Sequence, residues 1–139
     1  YTKDDNISNV KGQENNDYSN SIKKKISNLS NKIENDKNIS KYTKQIIFNY
    51  LNNLLYKLNS INLDLDLYSS QLNNINDSIQ HILSNDNLII NKYGNIDTIK
   101  KINSKLNLNL QINEKSSKLD IFNLIFQISN SNKINLDEF

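Results

Sequence analysis

The chain has no cysteine, which excludes a disulfide framework and any thiolate metal site and leaves the redox compartment open. It has no arginine, and its net charge is only +2, with lysines and acids interspersed. A nucleic-acid face built on Arg and stacking aromatics is therefore not expected. The two glycines, Gly12 and Gly94, stand 82 residues apart, so there is no glycine-rich phosphate loop. No apolar run exceeds three residues, as in "IIF" and "LII", so nothing in the sequence spans a membrane. Proline, tryptophan, methionine and alanine are also missing. The chain begins at Tyr1, without an initiator methionine, and reads as a fragment of something longer.

What is present is asparagine, 29 residues in 139, with Ile, Leu, Lys, Tyr and Phe. The abundant types share A/T-rich codons and the scarce ones G/C-rich codons. That points to a very AT-rich genome, as in some protozoan parasites and slime moulds. Asn then stands where other proteins use Glu, Gln, Lys or Ala, so Asn-rich stretches are weak evidence for loops. Four N-x-S/T sequons occur, at Asn6, Asn28, Asn38 and Asn76, but 29 Asn and 19 Ser or Thr give about four by chance. They carry no argument for secretion. The runs at Lys23–Lys25 and Lys100–Lys101 read as solvated helix faces.

Two stretches, "SINLDLDLYSS" (60–70) and "KLNLNLQIN" (105–113), alternate apolar and polar residues as half-buried strands do. A longer pattern overrides the first. Ile47, Leu51, Leu54, Leu58, Ile61, Leu65, Tyr68, Leu72, Ile75, Ile79 and Ile82 step by four and three without a break, over about five heptads. Ile61 and Leu65 lie on that seam, and Leu63 and Leu67 lie behind it. Leu fills four of five a positions and Ile four of six d positions, which favours three or more helices over two. Phe48, Leu55, Leu63 and Leu67 form a second apolar face, which calls for contact from more than one side. The expected fold is all-α: elongated coiled-coil segments, a helical hairpin or a bundle, with no sheet.

Residues 1–20 are polar and aperiodic and are expected to be disordered or a linker. Helices are expected at about 21–35, 39–84 and 96–129. Ile22, Ile26, Leu29 and Ile33 carry the first. The heptad phase is lost near Ser84, Gly94 is a candidate left-handed stop, and Asn95 or Asp97 can cap the next helix. Ile99, Ile102, Leu106, Leu119, Phe122 and Phe126 form the seam of the third helix, with a possible break at "NEKSSK". Residues 131–139 read as a frayed tail.

Catalytic chemistry is not visible. His81 is the only histidine and falls on the outer face of the long helix, where a surface role is the common one. Asp64 and Asp66 mimic a D-x-D metal pair. Two residues apart on a helix they point in nearly opposite directions, and no Gly or distal Glu completes a calcium loop. No Ser, His and acid set can be nominated. The expectation is a non-enzyme without cofactor or small-molecule substrate, acting on protein helices, with no nucleic acid and no membrane span.

"SINLDLDLYSSQLNNINDSIQHI", through Ile61, Asn62, Leu65, Ser69, Leu72 and Ile75, resembles a helix in the C-terminal coiled-coil region of the central-channel nucleoporins. "IKKINSKLNLNLQINEKSSKL", through Ile99, Ile102, Asn103, Leu106, Ile112, Asn113 and Ser117, is similar to that family's next helix, with Gln111 where the family often has Trp. The resemblance covers residues 60–119. It implies a rod-like scaffold subunit of a heterotrimeric coiled coil, at the nuclear pore, serving nucleocytoplasmic transport. The alternative is a self-contained helical bundle of a secreted or surface parasite protein, acting as an adhesin or spacer.

Overall fold

In the computed structural model the chain is all-α. The structure describes residues 20–59 and 65–139, less the side chains of residues 65–69, 71 and 72. The expected linker, but for residue 20, lies outside the described residues, as do Ile61, Leu63 and Asp64. Helix α1 covers residues 20–35, α2 Lys41–Leu58, α3 Leu65–Tyr93, α4 Ile96–Leu106 and α5 Lys118–Ser131, and a single 3-10 turn covers Leu136–Glu138. Among the described residues there is no strand.

The chain forms two compact units. The first comprises the described residues of Tyr1–Asn35 and Phe48–Ser78, and the second Asp36–Ile47 and Ile79–Phe139. In the first, Ile22, Ile26, Ile33, Leu51, Leu54, Leu58 and Ile75 are buried, and Leu29, Phe48 and Leu55 are half-buried. The buried positions follow the helical spacing of the aliphatics.

The second unit packs around Phe122, which is fully buried on α5 together with Ile121 and Ile125. Tyr93 stacks on the Phe122 ring with centroids 6.4 Å apart, and Tyr42 meets it edge-on at 6.0 Å. Ile90, Ile99, Ile102 and Leu136 complete the core.

Several boundaries differ from those expected. The long helix expected over 39–84 is two helices, because α2 stops at Leu58. The Asn59 N–H is shared between the carbonyls of Leu55 and Tyr56, the bifurcated geometry of a tightening helix end. At its other end α3 continues to Tyr93, through the segment where the phase fails in the sequence. The phase is in fact kept. Ile79, Asp86 and Tyr93, seven residues apart, are all buried, and the middle one is a carboxylate. A polar residue on the seam breaks the pattern in the letters but not in the helix.

Gly94 ends α3 without a left-handed turn, since no glycine has positive φ among the described residues. What it supplies is space. A Cβ at Gly94 would lie against the Lys118 carbonyl oxygen and 2.5 Å from that of Ile90. Asn95 then caps α4, its side chain accepting from the Thr98 N–H at 2.9 Å.

In place of one helix over 96–129, α4 ends at Leu106 and α5 begins at Lys118. Asn107 adopts the left-handed conformation (φ 53°) as C-cap, and Ser117 caps α5. Residues 108–113 between them are neither helix nor sheet. Leu110 and Ile112 pack on the core while Asn109, Gln111 and Asn113 are exposed, so the second half of "KLNLNLQIN" is an extended segment with alternating burial, whereas Leu106 belongs to α4 and Leu108 is exposed. A sheet neighbour would normally bond its backbone. Here the Asn103 side-chain amide does so, accepting from the Leu110 N–H at 3.0 Å and donating to the Leu110 carbonyl at 3.2 Å.

The tail is not frayed. Leu136 is buried in the core, Phe139 is half-buried against it, and Lys105 forms a 2.8 Å ion pair with Glu138.

Candidate functional site

The start of α2 is fixed by polar groups. Asp86, buried on α3, accepts from the Ser40 hydroxyl at 2.5 Å, the Thr43 hydroxyl at 2.6 Å and the Ser40 N–H at 3.2 Å. Ser40 itself receives the Thr43 N–H on its hydroxyl and the Lys44 N–H on its carbonyl. Asn123 on α5 accepts the Lys41 N–H at 2.9 Å. The Lys41 and Thr43 N–H groups, which an α-helix leaves without intrahelical partners, are thus met by Asn123 of α5 and by Ser40, which Asp86 of α3 holds in place. A carboxylate at this end also opposes the positive pole of the helix dipole. This arrangement satisfies a buried charge without a cation.

With α2 held there, Tyr42 in its first turn lies edge-on to Phe126, with ring centroids 5.5 Å apart. Tyr42, Phe126 and Tyr93 come from three helices, and with Leu136 from the tail they line a half-open cleft of about 350 Å³. Two charged residues stand at its mouth. The Lys92 ammonium lies 5.1 Å from the centroid of the Tyr93 ring, and the Tyr93 hydroxyl donates a long hydrogen bond of 3.5 Å to Asp137. Lys92 and Asp137 do not pair with each other, whereas Lys105 pairs with Glu138 close by in the tail. A second, smaller hollow of about 120 Å³ lies beside Ile112 and Asp120.

Of the long seam, Ile47, Leu51, Leu54, Leu58, Ile75 and Ile79 are buried in the single chain, at 0–7% exposure, and Ile82 is half-buried. Ile61 lies outside the described residues, as do the side chains of Leu65, Tyr68 and Leu72. On the second apolar face, Phe48 and Leu55 are half-buried, Leu63 is outside the described residues, and so is the Leu67 side chain. The third seam is divided between helices, with Ile99, Ile102 and Leu106 on α4 and Leu119, Phe122 and Phe126 on α5. The structure brings Ile99, Ile102 and Phe122 into one core, with Leu106 and Leu119 packed against it.

His81 is exposed. Among the described residues, no group of three or more His, Cys, Asp and Glu is placed to hold a metal, and no helix is long and apolar enough to cross a membrane. Tyr42, Lys92, Tyr93 and Asp137 have no signal in the sequence as a group. Tyr93 falls in a stretch that reads as a connection, and Asp137 in one that reads as a frayed end.

Comparison with protein-family models, with curated proteins and with solved structures returns no match to this chain.

Proposed function

We propose that the protein is a non-catalytic helical module that folds by itself and acts by presenting its surface to other molecules, as a spacer or adhesive element does. One observation carries this reading. Six residues of the predicted assembly seam are at most 7% exposed in an isolated chain. An open scaffold strand awaiting two partner helices would leave those side chains wet until assembly, and burying them alone already removes the main driving force for such a complex.

The nucleoporin-like reading keeps one support of its own, which is the outer side of α2. Tyr56 there is 80% exposed, and Phe48 and Leu55 are half-buried. On that reading a partner helix would lie along Phe48, Leu55 and Tyr56, forming a coiled-coil scaffold with helices of other subunits.

Sedimentation equilibrium with circular dichroism, at micromolar concentration, separates the two. A monomer with full helix content and a cooperative melt is the expected outcome. Helix that forms only on self-association or on addition of a partner would return the protein to the coiled-coil scaffold class.

A further inference from the structure

We propose that the cleft of the second unit is a binding site for a free amino acid with a large apolar side chain. The apolar floor is made by Tyr42, Phe126 and Leu136, Tyr93 carries the two charged groups, and the mouth has one cation, Lys92, and one anion, Asp137. A volume of about 350 Å³ is at the small end of ligand sites, which run from about 300 to 1,000 Å³. It suits a ligand of amino-acid size, with an aromatic or branched aliphatic body on the rings.

The charges select the polar end. Tyr93 keeps them apart, with the Lys92 ammonium over its ring at 5.1 Å and the Asp137 carboxylate on its hydroxyl at 3.5 Å. An anion alone would meet Lys92 but be opposed by Asp137. A cation alone would meet Asp137 but be opposed by Lys92. A neutral apolar guest would cover the floor and strip water from two charges without replacing it. A zwitterion answers both groups, its carboxylate on Lys92 and its ammonium on Asp137. Both residues are exposed and Lys92 and Asp137 have no ion-pair partner among the described residues, so neither must break a salt bridge to bind. One wall of the cleft comes from the docked tail, so the ligand would also hold residues 134–137 against the helices.

The test is a nuclear magnetic resonance titration of the isotopically labelled full chain with L-phenylalanine. Two comparators are N-acetyl-L-phenylalanine amide, which keeps the ring and loses both charges, and glycine, which keeps both charges and loses the body. Saturable shifts at Tyr93, Phe126 and Asp137 are expected with L-phenylalanine, and binding of each comparator at least about tenfold weaker. Lys92→Gln and Asp137→Asn should each weaken L-phenylalanine binding by about tenfold, as expected for loss of one charge-assisted hydrogen bond. Both variants should keep the helix content and melting temperature of the parent. The proposal is overturned if the blocked amide or glycine binds as tightly as L-phenylalanine. It is equally overturned if both variants bind like the parent, or if no saturable shift occurs up to the solubility limit.

Discussion

The two compact units solve the same problem with different chemistry. In the first, every buried side chain among the described residues is Ile or Leu at helical spacing. The second buries two aromatic residues, Tyr93 and Phe122, and the five polar side chains that are buried among the described residues: Ser40, Thr43, Asp86, Thr98 and Ser129. Each of these polar groups has a partner, Ser129 donating to the Ile125 carbonyl and Thr98 to the Asn95 side chain. A periodic aliphatic face specifies that helices pack but says little about which helix ends meet. Buried polar groups with directional bonds can fix those ends, because a shift of one residue leaves donors without acceptors.

The largest expected effect tests whether the units share one stability. Phe122→Ala removes the ring at the centre of the second core and should cost about 3–5 kcal/mol, against about 2–5 for Leu51→Ala in the first. Hydrogen exchange read residue by residue distinguishes the cases. Loss of protection confined to residues 36–47 and 79–139 in Phe122→Ala would show that the units open separately. Loss in both units would show one cooperative fold, and the contrast between them would then concern packing style alone.

Asp86 sharpens the contrast further, because it stands on the seam between Ile79 and Tyr93. If the second unit followed the rule of the first, Asp86→Leu would stabilise it. The opposite is expected, a loss of about 2–3 kcal/mol, since the Ser40 and Thr43 hydroxyls and the Ser40 N–H lose their acceptor in a buried place. Adding Thr43→Val to Asp86→Leu removes one stranded donor and should recover part of that loss in a urea titration. A double variant no better than the single one would mean the Thr43 bond has little worth.

Legibility follows the same division. The heptad steps over Ile47–Leu58 and Ile75–Ile79 identify buried residues, and the all-α class with them, because only packed helices need so long an aliphatic period. Periodicity fails wherever a polar side chain does structural work. It loses the helix at Ser84 because Asp86 occupies a core position. It extends a helix through 107–112, with a break offered only at "NEKSSK", because nothing marks Asn103 as a surrogate strand. It leaves the tail loose because Leu136 and Phe139 pack on residues of other elements, which no local period records. The candidate cleft is not legible for the same reason, as its residues come from α2, α3, α5 and the tail.

A smaller effect is expected at Gly94, where the first unit offers no parallel among its described residues. Gly94→Ala sets a methyl group against two backbone carbonyls, those of Lys118 and Ile90, both well inside contact distance before relaxation. Backbone yields less readily than side chains, so α5 must move away from the end of α3, at a cost of about 1–3 kcal/mol. The melting temperature reports this. An unchanged value would mean that the close approach of α3 to Lys118 is dispensable.

The smallest effect asks whether one side chain can stand in for a neighbouring strand. Asn103 binds both backbone groups of Leu110, and its own carbonyl accepts the Leu108 N–H at 3.0 Å. Asn103→Ala leaves the α4 backbone intact and removes only the amide. The site is part-buried, so water can take over some of the exposed groups, and the expected cost is about 1 kcal/mol. Exchange of the Leu110 amide should nevertheless accelerate strongly while that of Ile102 follows global stability alone. If Leu110 stays as protected as before, packing of Leu110 and Ile112 on the core is what holds the segment, and the second unit is closer to the aliphatic rule of the first than its polar bonds suggest.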